Sequence, residues 1–318
     1  MHFIRLLALF AIACVAHAQG YPNRPIKIVV PYAAGGLPDT MTRAVTPKLG
    51  EALGQAVVVE NMGGAGGISG VTEVARSQAD GYTLLVADVG QIAINPHLFA
   101  KLPYEPLKDL TPVSLIGTSP LYLVANPSVP VNSLQELVAY AKANPGKLNY
   151  GSSGIGSIHH LATEALKAGF GINIVHVPYK GTGQSVPALL GGQVALLYSA
   201  LPSIAGHIKD GKVKILAISS AKRSAQTPDV PTVAESGIPG YDFVAEIGLL
   251  APAGTSREIV QRLAKEMAAV VKQADVVQRF TQLGIDAVGS TPQAYAALNK
   301  ADYEKYAKLV KASGAKIE

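Results

Sequence analysis

Ile26-Lys27-Ile28-Val29-Val30, then Pro31-Tyr32-Ala33-Ala34-Gly35-Gly36, then Asp39 three residues on, lay a strand, a turn and a helix start end to end. The first run is apolar and β-branched, which fits a strand buried on both faces. Asp39 reads as the N-cap of a helix reaching about residue 53, closed by Gly54. At such a junction the first helical amides have no internal partner and sit at the positive end of the helix dipole, so the turn suits an anion. Two more turns have this character: Gly151-Ser152-Ser153-Gly154-Ile155-Gly156-Ser157 and Tyr179-Lys180-Gly181-Thr182-Gly183.

Outward from the first turn the pattern repeats. A strand at 56–60, the glycine run 63–67, a helix at 71–77 and a strand at 83–87 alternate as in a parallel, doubly wound sheet. The apolar segment 113–125 is broken by Gly117 and Pro120, and Ser133 with Glu136 forms a capping box for a helix to 143. Strands at 148–151, 174–177, 194–198 and 213–218 follow. Thr227-Pro228-Asp229-Val230-Pro231 marks the return to a strand at 244–251, a helix capped by Thr255 and Glu258, and a last helix at 292–313. The expected architecture is α/β with two doubly wound sheets joined by two hinge crossings: 19–120 plus 223–318 as one domain, 121–222 as the inserted one. Two lobes so joined enclose a cleft whose walls can hinge.

Residues 1–18 read as a secretory signal: Arg5, an apolar core from 6 to 15, and Ala16-His17-Ala18 before Gln19. The apolar core is shorter than the roughly 20 residues of a spanning helix. A rival reading takes Ala11-Ile12-Ala13-Cys14 as a lipoprotein site, although Ala11 stands where a larger aliphatic residue is usual. Cys14 is the single cysteine, so cleavage after Ala18 leaves no disulfide framework. With 318 residues and 48% hydrophobic composition the chain can bury two ordinary cores. The formal charge of +5 comes from scattered basic residues, which suits anionic small molecules and not nucleic acid.

Several chemistries fail at named residues. Gly64-Ala65-Gly66 is followed by Ser69 and Gly154-Ile155-Gly156 by His159, so neither completes a dinucleotide fingerprint. Gly151-Ser152-Ser153-Gly154 runs into Ile155, which breaks the serine-nucleophile elbow. Ser219-Ser220-Ala221-Lys222 has S-x-x-K spacing without companion motifs and reads as a strand end. His159 and His160 are adjacent, about 100° apart on a helix, where a metal pair wants i and i+4. One histidine faces the cleft and the other solvent or core. No cofactor and no metal is expected, and binding without catalysis leads.

The chain resembles the periplasmic solute-binding proteins of tripartite tricarboxylate transporters, the Bug or TctC-type receptors, along essentially its whole mature length. The resemblance rests on Pro31-Tyr32-x-x-Gly35-Gly36-x-x-Asp39, Glu60-Asn61 with its glycine run, Ala79-Asp80-Gly81-Tyr82-Thr83-Leu84 and Ala93-Ile94-Asn95-Pro96. It continues through Tyr150-Gly151-Ser152-x-Gly154-x-Gly156-Ser157, Val177-Pro178-Tyr179-Lys180-Gly181, Leu190-Gly191-Gly192-Gln193-Val194, Pro228-Asp229-Val230-Pro231-Thr232 and Leu250-Ala251-Pro252-Ala253-Gly254-Thr255. It implies a type II periplasmic-binding-protein fold, a periplasmic location, a small carboxylate ligand, integral-membrane transporter subunits as partners, and a monomer.

The resemblance places ligand contacts on Tyr32, Ala34, Gly35, Gly36 and Asp39 in one lobe and on Ser152, Ser153, Gly156, Ser157, His160, Tyr179, Gly181 and Thr182 in the other. Tyr198, Ser199, Asp88 and Glu246 complete the expected set. Asp39 doubles as a structural cap, and Tyr179 packs under the hinge in the plainer reading. The family often has histidine near 92, aspartate at 195, an aromatic near 246 and a small polar residue at 88; this chain has Ile92, Ala195, Glu246 and Asp88. If both acids line the cleft, a simple dicarboxylate meets like charges. The ligand then also carries an amine, amide or hydroxyl, or one acid points away. Two rival functions remain open on sequence: an exported hydrolase using a serine of 151–157 with His160 as base, and a ligand sensor docking on a signalling receptor.

Overall fold

The structure, a computed structural model, describes residues 20–317. The signal and lipoprotein readings lie outside the described residues. The chain runs β1 (Ile26–Val30), α1 (Leu37–Leu53), β2 (Val57–Asn61), a 3-10 turn, α2 (Ile68–Ala75) and β3 (Thr83–Asp88). A π-helical turn (Gly90–Ile94), α3 (Asn95–Leu98), α4 (Pro106–Asp109) and the long strand β4 (Leu110–Ala125) come next. Then follow α5 (Leu134–Ala143), β5 (Asn149–Ser152), α6 (Ile158–Phe170), β6 (Val175–Pro178), α7 (Thr182–Leu190), β7 (Leu196–Ala200), α8 (Leu201–Lys209) and β8 (Lys214–Ile218). The chain returns through β9 (Val244–Pro252), α9 (Arg257–Val270), α10 (Ala274–Gln282), β10 (Asp286–Ala287) and α11 (Pro292–Ser313).

The strands are ordered β2-β1-β3-β9-β4-β7-β5-β6, with β8 and β10 also on β4. β1 is parallel to β2 and β3, while β5 is parallel to β6 and β7. In β4 the residues from Leu110 to Pro120 pair antiparallel with β9, and those from Leu121 to Ala125 pair with β7 and β8. One strand therefore belongs to both lobes and is the first crossing. Gly117 and Pro120, expected to break the segment, sit inside it. Gly117 takes a register shift where a Cβ would press on the Asp286 carbonyl, and Pro120, lacking an N–H, pairs with Val244 where β9 begins.

Each lobe covers both faces of its sheet. On the first, Met41, Val45 and Leu49 of α1 meet Val260, Leu263 and Met267 of α9 over β1 and β9, and Val71, Val74 and Tyr295 cover the other side. Burying each such side chain contributes about 1.5–3 kcal/mol. In the second lobe α5 and α6 cover one face, and Val186, Leu189 and Ile204 of α7 and α8 the other. The core on the α5–α6 side also takes in Val89, Ala93, Ile94, Leu98, Tyr241, Phe243, Tyr306 and Val310. It thus reaches past the expected limits of 121–222. α11 straddles the lobes, with Tyr295 in a first-lobe core and Tyr306 in the second.

Two caps differ from expectation. α1 starts at Leu37 after Gly36, so Asp39 is the third helical residue and not the N-cap; Pro38 needs no amide partner and allows the earlier start. α9 is capped by Ser256, which accepts from the Ile259 amide, while the Thr255 hydroxyl turns back to the Pro252 carbonyl.

Candidate functional site

A cavity of about 1200 Å³ separates the lobes. Its first-lobe wall is the turn 31–37 with Asn61, the glycines after β2, Asp88 and Gln91; its second-lobe wall is the loop 153–159 with the segment 180–184. Leu121, Ala245 and Ile247, from the strands around the crossing, form the floor. Four helices start on this cavity: α1 after Gly36, α6 after Ser157, α7 after Gly181 and α8 after Ala200. Of these only α6 has a side-chain cap, Ser157 accepting from the His160 amide. The amides opening α1 and α7 thus have no side-chain cap where they meet the cavity.

The first turn is held from below. Asp39 accepts from the Gly35 amide at 2.8 Å, from Asn61 Nδ2 at 2.9 Å and from Arg43 Nε at 2.9 Å. Burial raises its pKa, but these three donors outweigh burial and hold it below the usual carboxylate value. Gly35 has φ +84°, which a side chain would strain. The amides of Ala34 and Gly36 have no hydrogen-bond partner among the described residues.

The profile of the tripartite tricarboxylate transporter family receptors matches residues 41–315. Protein BugT of Bordetella pertussis is 38% identical over 326 residues, covering 100% of both chains. The chain belongs to this receptor family. Rpa4515 of R. palustris, solved with adipate, has a TM-score of 0.87 and 34% identity over 93% of this chain and 100% of that one. MatC from Rhodopseudomonas palustris, solved with bound malate, has a TM-score of 0.82 and 35% identity over 91% and 100%. The receptor is a periplasmic binding protein and not an enzyme.

Of the expected contacts, Tyr32, Ala34, Gly35, Gly36, Asp88, Ser153, Gly156, Ser157, Gly181 and Thr182 line the receptor's cavity. Several of these have committed amides: Gly35 donates to Asp39, Asp88 to Gln91 Oε1 at 3.2 Å, Gly156 to His160 Nδ1 at 3.1 Å and Ser157 to the Gly154 carbonyl at 3.2 Å. The other expected contacts stand outside the lining. Asp39 works through the turn just described. Ser152 turns inward to His176 Nε2 at 2.6 Å. His160 is buried and stacks on His176, with ring centroids 4.1 Å apart. Tyr179 packs against Gly151 beneath the loop. Tyr198 is a core residue bonded to the Tyr241 hydroxyl at 2.9 Å, and Ser199 is fully buried beside it.

Glu246 is placed by strand alternation. Ala245 and Ile247 reach the cavity, so Glu246 points to the other face of β9, beside Asp302 of α11. Burial, and then Asp302, raise its pKa to about 9.

The helix phase of α6 selects His159, not His160, for the cavity. Its Nδ1 lies 2.7 Å from Ser153 Oγ. Burial lowers its pKa to about 4, and no carboxylate bonds the ring among the described residues. A neutral, weakly basic histidine orients the Ser153 hydroxyl but does not activate it. Sequence reasoning also missed Asn61, Gln91, Ala200, Ser203, Ala245 and Ile247. Asn61 lay in a recognised motif, whereas Gln91 and the floor residues carry no local signal.

Proposed function

We propose that the receptor captures a small carboxylate in this cleft and hands it to the integral-membrane subunits of a tripartite transporter, acting as a monomer. The reading is carried by α1 and α7, helices of opposite lobes that both lack a side-chain cap and both open on one cavity. One carboxylate group bridging them receives the Ala34 and Gly36 amides from one side and Ser153 and Thr182 from the other, while Ser157, whose hydroxyl and amide both donate to the Gly154 carbonyl, caps α6. Such a ligand favours the closed arrangement because only there are both sets in reach. Relatives solved with adipate and malate support this ligand class. A dissociation constant near ~1 μM corresponds to about 8 kcal/mol, within reach of a few charge-assisted hydrogen bonds.

A thermal-shift screen over aliphatic dicarboxylates, hydroxy acids, aromatic carboxylates, amino acids and nicotinate-like compounds tests the reading, because ligand binding only the folded state raises Tm. No shift with any carboxylate well above micromolar concentration would sink it. Undiminished binding after Gly36→Val would move the anion site elsewhere.

A further inference from the structure

Asp88 is the one acid on the cavity wall among the described residues, and Lys180, on the opposite lobe, the one lysine or arginine. Asp88 ends β3, half-buried, and forms no ion pair among the described residues. Its Oδ2 accepts from the Tyr32 hydroxyl at 2.7 Å and its Oδ1 from the Gly90 amide at 2.7 Å. Behind it the network closes. Tyr32 Oη accepts from Gln91 Nε2 at 2.8 Å, Gln91 gives its other amide proton to the Gly66 carbonyl at 3.2 Å, and its Oε1 accepts the Asp88 amide at 3.2 Å.

Counting valences decides what this wall offers. The Tyr32 proton and both Gln91 amide protons are committed inside the protein, so neither side chain has a donor left for a ligand. Each Asp88 oxygen accepts one bond and keeps a second lone pair. The wall therefore presents acceptors and negative charge, and a half-buried carboxylate without a cation is satisfied by a donor arriving with the ligand. Glu246 does not share this role, since it faces α11.

We propose that Asp88, fixed by Tyr32 and Gln91, selects carboxylate ligands that also carry a hydroxyl or ammonium group over the same acids without one. This rests on the carboxylate reading of the cleft. An unsubstituted dicarboxylate turning its second carboxylate to this wall meets like charge, whereas a hydroxyl or ammonium completes the Asp88 shell. The Ala34–Gly36 amides hold the head group, and Asp88 reads the substituent.

Calorimetric titration of the intact mature receptor with matched sets, succinate against malate and aspartate, and benzoate against 4-hydroxybenzoate, tests it. The expected result is a preference of roughly ten-fold or more for the donor-bearing member of a set that binds, the range of one hydrogen bond to a charged acceptor. In Asp88→Asn, and independently in Asp88→Ser, that preference falls to within about three-fold and the unsubstituted acid binds more tightly than to wild type. Unliganded Tm reports the folding of each variant, and if one fails to fold the other decides. Succinate or benzoate binding wild type as tightly as its partner, or a preference that survives both substitutions, overturns this inference alone. Binding of no acid in either set overturns the carboxylate reading and this inference with it.

Discussion

The Leu121 amide donates to the Ser219 hydroxyl at 2.9 Å, and the Ser219 amide donates back to the Leu121 carbonyl at 2.8 Å. Ser219 also accepts the Phe243 amide at 3.0 Å, and its hydroxyl donates to the Phe243 carbonyl. Leu121 lies just past the point where β4 changes lobe, and Phe243 just before β9 starts. One fully buried serine thus ties together the two strands by which the lobes connect.

Ser219→Ala leaves the Leu121 N–H and a lone pair of the Phe243 carbonyl without their partner in a dry place. The expected loss is about 2–4 kcal/mol, since each stranded buried group costs about 1–3. Urea unfolding measures it through a lower midpoint at unchanged slope. A midpoint within error of wild type would mean the hydroxyl is not what joins the crossings.

Gly156 and Leu98 meet across the cleft edge. Gly156 has φ +75°, and a Cβ there overlaps the Leu98 methyls, which are buried and have little room to move. Gly156→Ala should cost about 2–4 kcal/mol, from left-handed strain of about 1–2 and overpacking of about 1–3. Leu98→Ala in the same chain removes the overlap but not the strain, so the double variant should be less unstable than the two single losses summed. Strict additivity in thermal unfolding would refute a direct contact.

What could be read before the fold was known follows the range of each signal. The β1–turn–α1 junction is local, because apolar run, glycines and helix pattern all lie within about one turn of one another, and it appears where expected. The cap of α1 is missed by three residues because Asp39 can bond a backbone amide either as N-cap or from inside the first turn, and sequence does not separate these. Glu246 and Ser219 needed distant partners. The face taken by Glu246 depends on how β9 pairs with β3 and β4, and the use of Ser219 depends on Leu121, 98 positions before it, and Phe243, 24 positions after it, coming together around it. His159 and His160 differ only in helix phase, which the position of the second wall resolves.

Asp39 should govern binding without touching ligand. Asp39→Ala releases the Gly35 amide and Asn61, so the turn loses the support that aims Ala34 and Gly36. A stability loss of about 1–3 kcal/mol is expected, chiefly from the bonds to Gly35 and Asn61, because Arg43 is half exposed and its ion pair is screened. Affinity should fall by roughly ten-fold. The Asp39 pKa is lowered, so its contribution is present above the unfolded value of 3.8 and is lost as pH falls through the folded one. Calorimetry with unchanged affinity in a folded variant would limit Asp39 to stability alone.

Glu246 gives the opposite slope. Burial first, then the neighbouring Asp302, raise its pKa from 4.5 to about 9, with Lys305 opposing and Asp242 adding. A raised folded pKa means the folded state holds the proton more tightly than the unfolded chain, so the contribution is complete below about 4.5 and is lost as pH rises toward about 9. The slope for one proton is at most about 1.4 kcal/mol per pH unit. His159 and His176, both lowered to about 4 with burial the first cause, act on the acid side, where stability falls as pH drops below 6.5. Glu246→Gln keeps the shape of the neutral acid and cannot ionise. Its urea midpoint should match wild type near pH 4 and exceed it increasingly from about pH 5 to pH 8.5, while the acid limb set by the histidines stays common to both. Parallel curves across that range would show that Glu246 is ionised in the folded receptor, and that the contact between β9 and α11 holds a charge without a proton to share.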